Sequence, residues 1–320
     1  MKSQSQAVDG AVLLRATAAG MLRVMAESPL AQKESIRHII SVDVEDYFQV
    51  EAFANTVSRS SWDSYPSRVV ENTKRALDLF DEFGAEGTFF FVGWVAERFP
   101  ALVREVHARG HEVACHSYWH RTVYSLTPEE FREDTRRARD VIEQASGARV
   151  LGYRAPSWSI TKQSLWALDI LAEEGFRYDS SIYPIRHDIY GVPSAQRFAY
   201  THACGNGLAL REFPPATVRF GGMNFPAAGG GYLRIFPFSY TRWVFQHIVK
   251  KYQQPVVVYF HPWELDPNQP RLRDRWRSRF RHYTNLDRME GRIKGLLGEY
   301  RFQSFREMLS LQERETEPAS

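Results

Sequence analysis

The chain has 320 residues, of which 43% are hydrophobic and 25% are charged, and its formal net charge is +3. This composition is typical of an ordinary globular protein with one large core, and the charge is too small to indicate nucleic-acid binding. No run of about 18 uninterrupted apolar residues occurs, which argues against a membrane-spanning helix. Cys115 and Cys204 lie far apart without a CxxC pattern, which favours a reducing interior over a disulfide framework.

Residues 1–35 are predicted to form an arm, helical or disordered, ahead of the folded domain. The arm contains the apolar stretch AVLLRATAAGMLRVMAE, which Arg15 and Arg23 interrupt. It therefore lacks the apolar centre of a secretory signal, and we expect a cytoplasmic location.

Strand and helix patterns alternate after this arm. Residues 38–44 read as a buried strand, and the following helix is expected to end at Gly84. The strand GTFFFVG, the helix ERFPALVREVHARG and the strand HEVACH come next. A long helix is predicted after Thr127 as N-cap and Pro128. The remaining predicted elements are the strands ARVLGYRAP, FRYDSS and PVVVYFH and the helix SLWALDILAEEG.

This alternation predicts βα units and a parallel sheet. No GxGxxG or GxxxxGK follows a strand, which argues against a nucleotide-binding open sheet and favours a barrel. We expect the barrel over residues 36–265, with an ordered loop or short hairpins inserted at about 191–237. Residues 266–320 are predicted to form a C-terminal extension that includes two helices.

Polar residues recur where the predicted strands end, which is where barrels of this kind gather their reacting groups. His116 and His120, four positions apart, suit divalent-metal binding through neutral nitrogen, although the spacing alone is a weak signal. The other strand-end residues are Asp43, Glu45, Asp46, Arg154, Asp179 and His261.

The strands carry motifs that resemble the polysaccharide deacetylases of the NodB-homology type, carbohydrate esterase family four. These motifs are SVDVED, GTFFFVG, GHEVACHSYWH, GYRAPSWS, YDSS and VVVYFHPWE, between about Ile39 and His261. The segments DVEDYFQV, GGGYLRIFP and FRHYTNLDRMEGRIKGLL are similar to the branch associated with exopolysaccharide clusters and exosortase (PEP-CTERM) systems. The resemblance implies an α/β fold, a distorted, TIM-like (β/α)7 barrel.

The resemblance also implies a divalent metal, Zn²⁺ first, with Co²⁺, Ni²⁺ or Mn²⁺ as alternatives. His116 and His120 would bind it together with one carboxylate from the first strand. Strand alternation favours Glu45, and Asp46 is the alternative if the chain turns sharply after Val44.

Asp43 matches the family's catalytic base, and Arg154 would pair with it. His261 would be the general acid that protonates the departing amine, oriented by Asp179. Trp263 either forms part of a sugar platform or packs in the core.

The family's third motif places an aromatic residue after proline, where this chain has Ser157 and then Trp158. A backbone N–H at this point is the expected oxyanion donor, and a backbone group survives the side-chain change. The family's aromatic wall lacks its usual residue here, and Trp158 is the candidate to replace it.

These features predict a hydrolase that removes N-acetyl groups from N-acetylhexosamine units of a bacterial exopolysaccharide or its lipid-linked precursor. One alternative is hydrolysis of a small cyclic amide or imide, and another is an inactive carbohydrate-binding protein. Arginine occupies every second position from Arg271 to Arg281, which suggests peripheral membrane contact or a solvated face.

Overall fold

The structure is a computed structural model that describes residues 36–316 except for 188–189, 206 and 228. The predicted arm at residues 1–35 lies outside the described residues. The chain divides into two units, Met1–Arg37 and His38–Ser320, and the second unit carries the fold described below.

Parallel strands form the centre of this unit. Its nine-stranded sheet has the order β10-β1-β2-β3-β4-β5-β7-β6, with β11 also paired to β1, and every pairing is parallel except β6 with β7. A separate antiparallel hairpin joins β8 to β9. The strands are β1 (His38–Val44), β2 (Thr88–Phe91), β3 (Glu112–Cys115), β4 (Gly152–Tyr153), β5 (Tyr178–Asp179), β6 (Tyr200–Ala203), β7 (Ala209–Glu212), β8 (Thr217–Phe220), β9 (Met223–Pro226), β10 (Val257–Phe260) and β11 (Phe302–Gln303).

Helices lie between most of these strands, and short 3₁₀ turns follow several strand ends. None of the helices in the described ranges is both long enough and apolar enough to cross a bilayer. The helices are α1 (Val69–Phe83), α2 (Gly93–Arg98), α3 (Pro100–Ala108), α4 (Pro128–Ser146), α5 (Trp166–Glu173), α6 (Gly230–Ile235), α7 (Phe238–Tyr252), α8 (Trp276–Tyr283), α9 (Met289–Glu299) and α10 (Phe305–Thr316).

The predicted capping residues are found at two helix ends. Gly84 ends α1 in the left-handed conformation with φ 58°, a conformation that costs glycine little. Thr127 and Glu130 form a reciprocal capping box at the start of α4. Local sequence therefore determines where these two helices stop and start.

One predicted helix is divided in two. The sequence pattern predicts a continuous helix up to Gly110, but Phe99 separates α2 from α3 with φ −127° and ψ 58°. Because Pro100 clashes with a helical residue before it, the chain leaves the helical region at Phe99 and restarts with proline in the first turn.

The sheet is curled into a half-barrel, which confirms the predicted α/β class with parallel strands. Strand β1 lies between β10 and β2 and is buried along its whole length, as expected for a strand covered on both faces. The segment at 191–237 contains β6 to β9 and α6, and β11 from the C-terminal segment pairs with β1. The carboxyl ends of β1 to β5 and β10 consequently meet at one edge.

Candidate active site

Asp43, near the end of β1, forms a buried ion pair with Arg154, which follows β4. The Arg154 Nη1–H donates to Asp43 Oδ1 at 2.6 Å and to Ser41 Oγ at 2.8 Å. Arg154 is 0% exposed, and its other nitrogens donate to the carbonyl and hydroxyl oxygens of Ser180. A charge-assisted pair fixed in this way holds the Asp43 carboxylate in one orientation.

Glu45 points toward the same space as Asp43. Its Oε2 lies 2.6 Å from His120 Nε2, and its Oε1 accepts the indole N–H of Trp263 at 3.1 Å. Burial alone would raise the pKa of this carboxyl, but the neighbouring rings of His120, His261 and His116 lower it below its usual range. Glu45 is therefore a buried carboxylate surrounded by imidazoles.

His116 and His120 lie in a turn after β3, which we call the histidine turn (residues 116–120). Their ring centroids are 5.1 Å apart. His116 Nδ1 lies 2.7 Å from the Arg154 carbonyl oxygen, so Nε2 is the nitrogen left for a ligand. Burial lowers the pKa of His116 to about 4, and the ring is neutral at physiological pH.

Asp134 on α4 holds the histidine turn in place. It accepts hydrogen bonds from Ser117 Oγ at 2.7 Å and from the N–H groups of Tyr118 and Trp119 at 2.7 and 3.1 Å. Ser117 and His120 both have positive φ, at 64° and 50°. Because non-glycine residues rarely adopt this conformation, the turn is strained and the surrounding bonds maintain it.

The cluster of Glu45, His116 and His120 fits a divalent cation. Each residue offers one donor atom, the three donor atoms lie within 4.8 Å of one another, and all three residues are buried. Glu45 Oε2 has no hydrogen bond of acceptable geometry in the described part of the chain, although a ring nitrogen is 2.6 Å away. Two nitrogens and one carboxylate oxygen are the donor set of open catalytic zinc sites.

His261, after β10, completes the cluster from the opposite side. Its Nε2 is 3.7 Å from Glu45 Oε1 and 4.0 Å from Asp43 Oδ2, and its Nδ1 is 3.0 Å from Glu264 Oε2. Burial lowers the pKa of His261, but Glu264, Glu45 and Asp43 together raise it to about 9. The imidazole can therefore hold a proton near neutral pH.

Glu264 is itself held by Arg234 of α6. The Arg234 Nε–H donates to Glu264 Oε1 at 2.6 Å, and both side chains are buried. Burial would raise the pKa of Glu264, but Arg234 and His261 lower it to about 2. We call His261, Glu264 and Arg234 the acid relay, and the sequence analysis identified neither Glu264 nor Arg234.

Asp179 does not hold the position predicted for it beside His261. Its carboxylate accepts bonds from the N–H and hydroxyl of Ser181 at 3.0 and 2.6 Å, and β5 pairs it with Glu212 of β7. Burial raises the pKa of both carboxyls, to about 6 for Asp179. Glu264 orients His261 instead, because its position three residues later brings it back to Nδ1.

Asp46 likewise lies outside the metal-ligand cluster. Its carboxylate accepts the N–H groups of Arg68 and Val69 and the hydroxyl of Ser67, so it caps the start of α1. Burial raises the pKa of Asp46 to about 6 despite these hydrogen bonds. Glu45 is the first-strand carboxylate that reaches the histidines.

Trp263 is not placed to form a sugar platform. It is 4% exposed, and its ring stacks between His261 and His282 with centroid separations of 5.0 and 4.1 Å. Through its bond to Glu45 it orients a carboxylate, which is a role in support of the cluster.

Ser157 and Trp158 form the turn after Arg154, with positive φ of 52° and 56°. The Trp158 N–H donates to the Ala155 carbonyl at 3.2 Å, and its indole is buried beside the phenol of Tyr259. Trp158 is 6% exposed and therefore offers a substrate little surface as an aromatic wall. An oxyanion donor at Ser157 stays a prediction.

Two family models match consecutive parts of this chain. Residues 56–178 match the family "Polysaccharide deacetylase", and residues 180–310 match a "Domain of unknown function (DUF3473)". The first match carries the histidine turn and Arg154, and the second carries the acid relay. The site described above is thus assembled from both matched segments and from β1.

One similar protein is also a deacetylase by name, like the family of the first match. The peptidoglycan deacetylase of Helicobacter pylori is 28% identical over 108 residues, which are 34% of this chain and 36% of that protein. The chain thus spans only about a third of that relative's length.

Two solved structures share the fold. A crystal structure from Mycobacterium smegmatis, assigned as a polysaccharide deacetylase, has a TM-score of 0.58 at 19% identity, over 89% of this chain and 94% of that one. A Puue allantoinase structure also has a TM-score of 0.58, at 16% identity, over 90% and 93%. The exosortase-associated branch stays a prediction, whereas the similarity to the polysaccharide deacetylase family is found over residues 56–178.

Proposed function

We propose that this protein is a metal-dependent N-deacetylase acting on N-acetylhexosamine units of a saccharide. The observation that carries the proposal is the convergence of a paired carboxylate, a ligand cluster and an acid within one buried site. Asp43 Oδ2 and Glu45 Oε1 lie 4.0 and 3.7 Å from the same nitrogen of His261. A binding protein needs neither a base nor an acid at such a place.

Glu45, His116 and His120 would hold the cation. When bound, a zinc-like ion supplies Lewis-acid chemistry, polarising the amide carbonyl and making water more acidic. The rest of the chemistry belongs to the side chains around it.

Asp43 would accept a proton from the attacking water as the water oxygen bonds to the acetyl carbon. The ion pair with Arg154 orients this carboxylate through a 2.6 Å contact to Oδ1, and Oδ2 lies 4.0 Å from His261 Nε2. When the carbon–nitrogen bond breaks, the products are acetate and a free amine.

His261 would give its proton to the departing nitrogen. An amine is a poor leaving group unless it is protonated, so the reaction needs an acid that is charged near neutral pH. Glu264 and the nearby carboxylates raise the pKa of His261 to about 9, which meets this need.

We propose as substrate an exopolysaccharide, or its lipid-linked precursor, handled on the cytoplasmic side. The similarity to a peptidoglycan deacetylase supports a saccharide amide. The exposed face of α8 suits contact with an anionic lipid surface, because Trp276 and Phe280 are 71% and 55% exposed among arginines.

The test measures acetate release from a panel of N-acetylhexosamine oligomers and ring opening of small cyclic amides or imides, each before and after chelation. We expect acetate release from the oligomers and no turnover of the cyclic amides or imides. Chelation should abolish the acetate release, and added Zn²⁺ should restore it. Turnover of the cyclic amides alone would favour the other enzymatic alternative. Sugar binding without acetate release from metal-loaded protein would indicate an inactive binding protein.

A further inference from the structure

A second group of ligand-type side chains lies at the junction of α5 and the hairpin formed by β6 and β7. Asp169 is on α5, His202 is on β6, and Cys204 follows β6 directly. The three donor atoms lie within 4.8 Å of one another. Cys204 is 7% exposed with a free thiol, whereas the other two residues are half-buried.

Main-chain contacts bring these residues together. The Gly205 N–H donates to Asp169 Oδ1 at 2.9 Å, which fastens the hairpin turn to α5. Cys204 Sγ lies 3.7 Å from the carbonyl oxygen of Leu168 on the same helix. His202 is fixed by the antiparallel register that pairs it with Leu210. The cluster is therefore contributed by two elements whose relative position is already set.

The donor types select among metals. A thiolate, an imidazole and a carboxylate form a mixed set suited to zinc and its neighbours, whereas Mg²⁺ and Ca²⁺ prefer oxygen ligands throughout. Burial raises the pKa of the Cys204 thiol to about 11, and a bound dication would favour its thiolate, since a coordinating thiol is deprotonated by the metal. Tetrahedral bonds of about 2.0–2.3 Å place ligand atoms about 3.3–3.8 Å apart, so an adjustment of about 1 Å would close the site.

We propose that Asp169, His202 and Cys204 bind a divalent zinc-type ion at a site separate from the catalytic cluster. The ion would fasten α5 to the β6–β7 hairpin. Because Asp169 falls in the segment matched by the deacetylase family and the other two fall in the second matched domain, it would link the two segments. This site does not depend on the proposed activity.

Cobalt titration of the metal-free full chain under reducing conditions tests the proposal. A thiolate bound to Co²⁺ produces intense near-ultraviolet charge-transfer absorption, and the cluster of Glu45, His116 and His120 contains no sulfur. We expect two bound equivalents, of which one accounts for the whole charge-transfer band. The absence of this band at saturating Co²⁺ in the wild-type chain would overturn the proposal.

Variants assign the band to its ligands. C204S should abolish it, and C115S, which removes the other cysteine, should keep it. The double variant H116A/H120A should retain the band while losing the other equivalent. A band that survives in folded C204S, as judged by circular dichroism, would contradict the proposed site.

Discussion

The two flanks of the site are held by different kinds of interaction. On one flank, the histidine turn depends on main-chain geometry, with left-handed residues stabilised by three bonds to Asp134. On the other flank, the acid relay depends on buried charges that run from Arg234 through Glu264 to His261. The histidine turn should lose its metal-ligand geometry when the hydrogen bonds to Asp134 are weakened. The acid relay should instead reduce the stability of the fold when one of its charges loses its partner.

The largest expected effect lies between the two flanks, at Asp43. Asp43→Asn removes the proton acceptor but keeps the size of the side chain and can still contact Arg154. We expect kcat for acetate release to fall by about 10²–10⁴-fold. Metal content, measured by elemental analysis, should stay at the wild-type level. Unchanged kcat would show that the base has been misassigned.

Breaking the acid relay should cost stability. Arg234→Met takes the guanidinium partner from the buried Glu264 carboxylate and leaves His261 beside it, and we expect the free energy of unfolding to fall by about 3–5 kcal/mol in denaturant titrations. The double variant R234M/E264Q should recover much of this loss, because the carboxylate that lost its guanidinium partner is also removed. Equal losses of unfolding free energy in the single and double variants would show that the charge pair of Arg234 and Glu264 does not stabilise the acid relay.

Weakening the hydrogen bonds that hold the histidine turn should lower the affinity for the metal. Asp134→Asn keeps the side-chain shape but weakens the acceptor for Ser117, Tyr118 and Trp119. We expect metal affinity to fall by about 10–100-fold, measured by competition with a chelating dye. Glu133→Gln, an exposed neighbour on α4, is the matched control and should bind metal like the wild type. Unaltered affinity in the Asp134 variant would show that the turn is held by other contacts.

The smallest effect concerns Asp179 and Glu212, which lie behind Arg154 where the two matched segments meet. Burial raises the pKa of both carboxyls, so the folded protein binds protons more tightly than the unfolded chain. Their contribution to stability is therefore present near pH 4 and is lost as pH rises through about 6.

Glu212→Gln removes one of these titrating groups. The stability of the wild type relative to this variant should fall between pH 4 and pH 7, in denaturant titrations at each pH. A relative stability that is flat or that rises with pH would contradict the raised pKa values.

Local signals explain which parts of the fold could be predicted. The span of β1, the glycine that ends α1 and the capping box of α4 all depend on neighbouring residues. Strand alternation also favoured Glu45 over Asp46, and the structure brings Glu45 to the histidines. The break at Phe99 had a visible cause in the proline that follows it.

Long-range partners account for what was missed. Asp134 and Arg234 touch the site only after separate segments fold together, and the GGGYLRIFP motif that contains Arg234 does not by itself indicate this residue's role. The prediction that Asp179 orients His261 is wrong because β5 pairs Asp179 with Glu212, and nothing in the sequence shows this pairing. Glu264 could have been found, since His261, Pro262 and Glu264 form a recognisable capping pattern.

The central claim is that one cation joins the first strand to the histidine turn. A crystal structure of the zinc-loaded chain, with anomalous data at the zinc edge, tests it directly. We predict an anomalous peak about 2.0–2.2 Å from His116 Nε2, from His120 Nε2 and from a carboxylate oxygen of Glu45. The absence of a peak among these three residues, or an ion held by Asp46 in place of Glu45, would contradict it.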